Sequence, residues 1–281
     1  MLKLRIITAL VLLSILLPAM FSQSTMAFTV VVAVLVSTGA WEWAKLNQYG
    51  ATAALASALA CLVLCALTWW GNVLAMPLQT VWIAVGCGWV ILSAWLLHAG
   101  VQKWATLARP LRWLGGLCAL TAAWLAAVQA RMIGINFLLS VLVLVWAADA
   151  FAYFAGRGFG GQIFRRKLAP SISPGKTWEG VLGGTFGVLL CAFGWRAFDA
   201  TGMPDSTSIY THLALRGVPF LLLSLLFLTM MSVLGDLVES LFKRSAGVKD
   251  SSALLPGHGG VLDRVDALLP ILPLAMMFQS L

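Results

Sequence analysis

The chain has 281 residues, of which 61% are hydrophobic and only 10% are charged, and its mean hydropathy is +0.94. Soluble domains carry roughly 25% charged residues, so this composition excludes a soluble globular protein and a disordered one. The net charge of +8 does not indicate a nucleic-acid partner, because no basic stripe with interleaved aromatic residues lies on a polar domain. We therefore predict an all-α polytopic membrane protein.

Nine apolar runs, taken in chain order, are candidate membrane spans. They cover roughly 6–21, 27–41, 51–70, 81–98, 111–128, 133–154, 181–198, 218–234 and 267–281. The first run follows Lys3 and Arg5 but lacks a convincing cleavage site, so we predict an uncleaved helix rather than a signal peptide. The last run is short and contains Pro270 and Pro273, which makes it the weakest of the nine.

Lys and Arg are distributed unevenly between the two sides of this topology. With a cytoplasmic N-terminus, fifteen of them fall on the cytoplasmic side and three, Arg131, Arg196 and Arg216, on the opposite side. Cytoplasmic loops of membrane proteins carry such an excess of positive residues. We therefore predict that the polar segments after the sixth and eighth runs face the cytoplasm.

The first polar cluster lies at the end of the sixth run, where Asp149 and Tyr153 are four residues apart and share a helix face. An ionisable residue inside a span indicates a functional site by default. The alternative is an Asp that pairs with a basic residue between packed helices. We predict that Asp149 lines a polar pocket.

The second cluster is the segment 171–180, which contains Ser173, Gly175 and Lys176. Its Gly-Lys-Thr resembles the end of a P-loop, but that motif requires a Gly where Pro170 stands, and no strand precedes it. Lys176 and the amides at the start of the seventh helix can still bind an anionic phosphate. A lysine that contacts lipid headgroups explains this segment equally well.

The third cluster extends from 235 to 266. If the eighth helix continues through its first part, one face carries Asp236, Glu239, Ser240 and Lys243, at i, i+3, i+4 and i+7. An ordinary ion-paired helix surface is the alternative, although this stripe emerges directly from an apolar span. We therefore expect these side chains to contribute to a functional site.

A glycine-rich turn at 256–260 follows, and then Asp263 and Asp266. Glycines let a backbone approach a ligand closely. Helix capping explains either acid singly, but not two acid-rich segments on both sides of a Gly-His turn. Carboxylates with interspersed cations suit phosphoryl chemistry with Mg²⁺, whereas His258 alone is not a zinc site.

The third cluster strongly resembles the signature of the phosphatidate cytidylyltransferase (CDP-diglyceride synthase) family, and in particular its bacterial inner-membrane members. The motif residues in place are Ser240, Lys243, Arg244, Lys249, Asp250, His258, Gly259, Gly260, Asp263, Arg264 and Asp266. The segments 149–156 and 173–180 also match the family pattern. Many members have a second Lys where this chain has Gly175, so phosphate binding by that segment depends on Lys176. The resemblance covers 149–266 by motif and the first 130 residues by hydropathy only.

The resemblance implies transfer of CMP from CTP to phosphatidic acid, with release of pyrophosphate and CDP-diacylglycerol, in the bacterial inner membrane. We assign Asp236 and Asp263 as Mg²⁺ ligands, and one or two ions remain open. The expected catalytic residues are Asp236, Asp263, Lys243, Arg264 and His258. The expected substrate-binding residues are Lys176, Ser173, Ser240, Arg244, Lys249, Gly259, Gly260 and Asp149.

Two other functions compete with this interpretation. One is another membrane phosphotransferase, such as a CTP-dependent lipid kinase or a CDP-alcohol phosphotransferase, although the Asp-Gly-x2-Ala-Arg core of the latter is absent from the sequence. The other is an ion-coupled transporter that uses Asp149 and Asp236, against which the missing inverted repeat counts. We expect one membrane domain, 1–281, with N-terminal helices in 1–130 and catalytic helices and loops in 131–281. The sequence leaves a homodimer open.

Overall fold

A computed structural model describes residues 2–281. Within this range the chain forms eleven α-helices, one short 3-10 helix at Val73–Ala75 and no β-strand, which confirms the all-α prediction. The α-helices are α1 Leu2–Phe21, α2 Thr25–Leu46, α3 Ala51–Trp70, α4 Gln79–Thr106, α5 Arg109–Ile133, α6 Ile135–Phe159, α7 Trp178–Asp199, α8 Ile209–Ala214, α9 Val218–Ser245, α10 Leu262–Val265 and α11 Leu268–Ser280.

Seven helices of the described chain are long and apolar enough to cross a membrane, namely α2, α3, α4, α5, α6, α7 and α9. The apolar part of α1 is shorter and covers Ile6–Phe21. Helix α11 has 13 residues, which at ~1.5 Å per residue reach about 20 Å of the ~30 Å hydrocarbon core. The multi-pass helical architecture is therefore confirmed for seven of the nine predicted runs.

Helix α4 consists of two helical pieces that meet at Gly100. The backbone there has φ 77° and ψ 176°, outside the helical region. A positive φ of this size is readily adopted only by glycine. The predicted run 81–98 therefore corresponds to the first piece of α4, and the kink follows it directly.

Small residues let α6 and α7 pack closely against each other. A Cβ atom added at Gly184 would lie 2.7 Å from the Ala148 carbonyl oxygen, and one added at Gly180 would lie 3.0 Å from the Ala152 carbonyl oxygen. Small residues four apart are the usual means by which membrane helices bring their backbones together. This contact places Asp149 of α6 beside the segment that leads into α7.

Helix α11 is enclosed by other helices. It packs against α4, α5 and α9, and most of its residues are buried, including Ile271, Leu274 and Ala275. A helix that is apolar on all sides is expected in the interior of a bundle. The predicted ninth run therefore fills the core beside α9.

Hydrogen bonds identify the segments that lie together at one end of the bundle. Arg131 donates to the carbonyl oxygens of Met20 at 2.7 Å and Ser22 at 2.8 Å. Asp205 accepts from the amides of Ile135 at 2.7 Å and Asn136 at 2.9 Å, at the start of α6. Burial disfavours the charged carboxylate, but these amide hydrogen bonds lower the pKa of Asp205 below its usual value.

The other end of the bundle gathers the polar segments that carry the predicted site. The Thr8 hydroxyl donates to the Pro256 carbonyl oxygen at 3.0 Å, and Arg109 Nε donates to the Asn47 carbonyl oxygen at 3.2 Å. Lys176 and Asp236 also meet at this end. The alternating directions of the helices thus agree with the predicted topology.

We predict that Gly184→Leu destabilises the fold by about 1–3 kcal/mol, because the new side chain would overlap α6. Gly194→Leu in the same helix should be neutral, because a Cβ atom at Gly194 meets nothing within 4 Å. Thermal unfolding of the two purified variants in detergent measures the difference. Equal melting temperatures would contradict the close α6–α7 contact.

Candidate active site

A polar cavity of about 680 Å³ lies between α6, α7, α9 and the segment that follows α9. Its walls bring together residues of all three polar clusters that the sequence analysis identified. The charged residues that line it are Asp149, Arg157, Lys176, Asp236, Lys243, Asp250, Asp263, Arg264 and Asp266. Positive and negative groups thus face the same space inside an otherwise apolar protein.

Lys176 and Asp236 form an ion pair in this polar cavity. Lys176 Nζ lies 2.5 Å from Asp236 Oδ2, and both side chains are partly exposed, at 23% and 31%. The Ser240 hydroxyl, one helical turn further along α9, donates to Asp236 Oδ1 at 3.2 Å. The hydroxyl of Ser240 therefore orients the carboxylate of Asp236 in the described structure.

Lys243 lies between two carboxylates. It forms ion pairs with Glu239, four residues before it on α9, and with Asp263 Oδ1, at 2.6 Å from the latter. The Lys243, Glu239 and Asp263 side chains are only 11%, 6% and 5% exposed. Charges this deeply buried require such partners, because the desolvation of an unpaired charge is very costly.

Asp263 accepts hydrogen bonds at both of its oxygens. Oδ2 accepts from the amides of Gly260 at 2.7 Å and Ser251 at 2.9 Å, and from the Ser251 hydroxyl at 2.9 Å. Burial works against its charged form, but the hydrogen bonds from Lys243 and the two amides lower the pKa of Asp263 below its usual value. Asp263 is therefore an ionised anchor of the loop between α9 and α10.

Asp149, Asp236 and Asp266 lie near one another in the polar cavity. Burial raises the pKa of Asp266 to about 7, and the negative charges of Asp236 and Asp149 also act to raise it. Asp266 Oδ1 accepts one short hydrogen bond, from the amide of Ala267 at 2.7 Å. The mutual repulsion of these carboxylates makes this part of the cavity a favourable place for a cation.

The donor set can be compared with what Mg²⁺ requires. Within residues 2–281 no group of three or more His, Cys, Asp or Glu side chains is arranged to enclose a metal ion. Mg²⁺ does not need such a cage, since it commonly binds one or two carboxylates together with phosphate oxygens and water. Asp236 fits this use, because it is partly exposed to the cavity. Asp263 fits it less well, since its oxygens already accept four hydrogen bonds.

The glycines of the predicted His-Gly-Gly turn lie against protein carboxylates. Gly259 has φ 81°, and a Cβ atom there would lie 2.6 Å from Asp263 Oδ2. A Cβ atom at Gly260 would overlap the Ser251 hydroxyl and the Glu42 carboxylate. These glycines therefore let the loop close around Asp263 and Glu42 in this structure.

Glu42 supports a loop of the candidate site, and sequence reasoning missed it. It belongs to α2 and is completely buried, yet its carboxylate accepts from the amides of Val261 at 2.9 Å and Leu262 at 2.8 Å. It also accepts from the Ser252 hydroxyl at 2.6 Å and shares the single hydrogen of the Ser251 hydroxyl, 3.1 Å away, with Asp263. Glu42 thus fixes the loop before α10 from the N-terminal half of the chain.

A signal for Glu42 was present in the sequence. It is the only acidic residue before Asp149, and it directly follows the second apolar run. An isolated carboxylate next to apolar residues of a membrane helix indicates a specific partner. The partner itself could not be identified, because it lies more than 200 residues further along the chain.

The remaining predicted residues lie around the loops rather than in the lining of the polar cavity, as far as residues 2–281 are described. Arg244 Nη1 donates to the Val248 carbonyl oxygen at 3.2 Å, and the His258 amide donates to the Leu255 carbonyl oxygen at 2.8 Å. The Ser173 amide donates to the Ala169 carbonyl oxygen at 2.9 Å, and Lys249 is exposed. Their assignment to substrate binding stays a prediction.

We predict that Glu42→Gln loosens the loop 251–262, because an amide group cannot accept all four hydrogen bonds of the carboxylate. Each buried donor left unsatisfied costs about 1–3 kcal/mol. Hydrogen exchange of the purified chain should show faster exchange at Val261 and Leu262.

Glu179→Gln is the matched control for Glu42→Gln. Glu179 Oε1 accepts from the amides of Gly161 at 3.0 Å, Ile163 at 3.1 Å and Phe164 at 2.8 Å, so it fixes a different loop. Its substitution should accelerate exchange in 161–164 and leave 251–262 unchanged. Equal effects of both variants on both loops would contradict a local role of Glu42.

Known proteins of similar sequence identify the family to which this chain belongs. A family model described as "Cytidylyltransferase family" matches residues 3–281. The phosphatidate cytidylyltransferase of Pseudomonas aeruginosa is 39% identical over 97% of this chain and 95% of its own length. The phosphatidate cytidylyltransferase of Haemophilus influenzae is 33% identical over 99% and 98%, and that of Bacillus subtilis is 39% identical over 53% and 49%. The chain belongs to the cytidylyltransferase family.

Proposed function

We propose that this chain transfers CMP from CTP to phosphatidic acid and releases pyrophosphate and CDP-diacylglycerol. The observation that carries the proposal is the polar cavity, where Lys176, Lys243 and Arg264 face the same space as Asp149, Asp236 and Asp266. Relatives that match almost the whole chain are named for this activity. The family membership and the charge arrangement thus favour the same reaction class.

The chemistry requires an anion to attack another anion. The phosphate of phosphatidic acid attacks the α-phosphorus of CTP, a new P–O bond forms, and the bond to the β-phosphate oxygen breaks, so pyrophosphate leaves with its electron pair. Because the attacking phosphate is already largely ionised near pH 7, positioning and charge neutralisation supply most of the catalysis. We infer that Lys176, Lys243 and Arg264 supply the neutralising charge.

These cations are balanced by protein carboxylates in the described structure. Lys176 pairs with Asp236, and Lys243 pairs with Glu239 and Asp263. When phosphates bind, Lys176 can exchange Asp236 for a phosphate oxygen, since both partners are partly exposed. Lys243 is more deeply enclosed, so we infer that it acts mainly by its fixed positive charge at the cavity wall.

Asp236 is the residue that we infer to bind Mg²⁺, together with phosphate oxygens of CTP. A bound Mg²⁺ ion would neutralise charge on the triphosphate and on the leaving pyrophosphate. Asp263 remains a candidate ligand, and serving as one would require it to exchange a hydrogen bond for the metal. The same proposal leaves open one or two bound Mg²⁺ ions.

The predicted residues outside the cavity lining have supporting roles in this proposal. Ser240 orients Asp236 through the 3.2 Å hydrogen bond. Gly259 and Gly260 let the loop close around Asp263 and Glu42. Ser173, Lys249 and His258 lie in the loops and Arg244 in the last turn of α9, and they are proposed to contact the phosphates of the bound substrates.

We further propose that the polar cavity opens to the cytoplasm of a bacterial inner membrane. The loops at its end of the bundle carry most of the Lys and Arg residues, as cytoplasmic loops do. In this arrangement α1 adds an eighth span, and α11 is the ninth, shorter helix. CTP would then enter from the cytoplasm and the lipid from the bilayer.

We predict that Asp236→Asn lowers CMP transfer by about 10²–10³-fold, because it removes the carboxylate that faces the phosphates and the metal. It should also raise the Mg²⁺ concentration that gives half-maximal rate. The assay follows α-labelled CTP into lipid with the purified chain and phosphatidic acid. Transfer of γ-label to a lipid would instead indicate a kinase.

Two variants complete this experiment. Asp250→Asn removes an exposed carboxylate of the same cavity and should cost less than about tenfold. Asp263→Asn should lower activity and also accelerate hydrogen exchange in 251–262, because the charged acceptor of Gly260 and Ser251 is lost. Full activity with an unchanged Mg²⁺ requirement in Asp236→Asn would overturn the metal assignment.

We predict that reporter groups placed after Phe21 and after Thr201 are accessible from outside the cytoplasm. Both positions lie at the end of the bundle opposite the polar cavity, near Arg131 and Asp205 respectively. A membrane-impermeant thiol reagent, applied to cells with single introduced cysteines, measures this accessibility. A cytoplasmic location of either site would contradict the proposed orientation.

A further inference from the structure

A second cavity, of about 550 Å³, lies on the opposite side of α9 from the polar cavity. Its lining is apolar and aromatic and includes Trp89, Trp95, Trp104 and Phe242. Its volume is within the range of ligand-binding pockets, about 300–1,000 Å³. We call it the tryptophan cavity.

The tryptophan cavity opens towards the surrounding membrane between α4 and α5. Helix α4 packs against α9 and α11, whereas α5 packs against α2 and α11. The facing parts of the two helices contribute Leu92 and Trp95 from α4 and Leu111 from α5, and these side chains are exposed at 38%, 41% and 59%. A hydrocarbon chain can therefore enter sideways from the bilayer.

Glycines leave open space on both sides of this entrance. A Cβ atom at Gly88 of α4 or at Gly115 of α5 would meet nothing within 4 Å, although both residues line the cavity. By contrast, a Cβ atom at the neighbouring Gly116 would overlap the Trp43 ring. Gly88 and Gly115 therefore border open space at the tryptophan cavity, whereas Gly116 packs against Trp43.

One end of the tryptophan cavity carries an unpaired positive group. Arg112 lines the cavity in the first turn of α5, and its Nε atom is buried without a hydrogen-bond partner among residues 2–281. None of the three ion pairs in the described chain includes Arg112. Its guanidinium lies 5.9 Å from the centroid of the Trp104 ring. A cation without an ion-pair partner, with one buried donor left unsatisfied, is a favourable place for an anionic group.

These features point to a ligand with a long apolar chain and an anionic head. The apolar chain gains little by leaving the bilayer, because lipid tails are as apolar as the side chains of the cavity. Selectivity must therefore come from the interaction of the anionic head with the positively charged Arg112. Phospholipids with a net negative charge have both properties.

We propose that the tryptophan cavity binds one acidic phospholipid of the membrane, with an acyl chain between α4 and α5 and its phosphate on Arg112. This lipid is distinct from the one that reacts, because α9 separates it from Lys176 and Asp236. The Glu239–Lys243 ion pair connects the two cavities, since Glu239 lines the tryptophan cavity and Lys243 lines the polar cavity.

The test uses the purified full-length chain and phosphatidylglycerol with a photoreactive group in one acyl chain. After illumination, peptides of α4 and α5 should carry the lipid. Gly88→Leu and Gly115→Leu should each reduce these adducts about tenfold, because the side chain occupies the space of the acyl chain. Gly194→Leu, the same change in an open position on α7, should leave them unchanged.

The headgroup is tested with phosphatidylcholine that carries the same photoreactive chain. Labelling by phosphatidylglycerol should exceed that by phosphatidylcholine, and Arg112→Gln should reduce this preference about tenfold. Lys45→Gln is the matched control, because Lys45 lies at the same end of the bundle, 3.8 Å from the centroid of the Trp41 ring. Melting temperatures close to that of the unmodified chain establish that each variant is folded.

Three results would overturn the proposal. Equal labelling by the two headgroups would remove the role of Arg112, and unchanged labelling in both glycine variants would place the lipid elsewhere. A third result would be labelling by phosphatidic acid only, which is lost when CTP is added and the phosphatidic acid reacts. The cavity would then be part of the path by which the substrate reaches the polar cavity. Because adducts are counted without CTP in the main experiment, failure here is distinguishable from failure of the proposed CMP transfer.

Discussion

The position of the loop 251–262 depends on the buried carboxylate of Glu42. This side chain is inaccessible to water, so its charge is stabilised only by the two amides and two hydroxyls that it accepts from. The amides belong to Val261, directly before α10, and to Leu262, its first residue. Through this contact α2 fixes the segment that carries Asp263, and Asp263 in turn fixes Gly260, Ser251 and Lys243.

Positive and negative side chains balance each other in the polar cavity of a protein that has few charged residues. Each buried group has a partner of opposite sign, as Lys243 has in Glu239 and Asp263, because an isolated charge in an apolar surrounding is too costly. Asp149 and Asp266 form no such ion pair within residues 2–281, and the nearby carboxylate of Asp236, although it is paired with Lys176, acts to raise the pKa of Asp266. A cation and phosphates that bind here, as we propose, would relieve this repulsion, so that their binding energy acts at the reacting groups.

Much of this structure was predictable from the sequence, and the failures have physical causes. Hydropathy located the long helices, and the rarity of acids made Asp149, Asp236 and Asp263 conspicuous. Hydropathy predicted a ninth span, but α11 has only 13 residues, and its apolar side chains fill the interior of the bundle. Glu42 was missed because its partners are distant in sequence, whereas helical periodicity identifies only residues that are neighbours on the same helix. The tryptophan cavity could not be predicted, since it depends on how α4 and α5 separate.

Helix α9 explains why the two cavities lie so close together. Its period of 3.6 residues directs Asp236 and Lys243 towards the polar cavity and Gly235, Val238 and Phe242 towards the tryptophan cavity. Glu239 lies between these two sets, so its carboxylate faces the apolar side while its ion pair reaches Lys243 on the polar side. One helix therefore separates the polar cavity from the tryptophan cavity, and the Glu239–Lys243 ion pair crosses that boundary. A change of charge at Glu239 acts on Lys243, because the two side chains form an ion pair and are only 6% and 11% exposed.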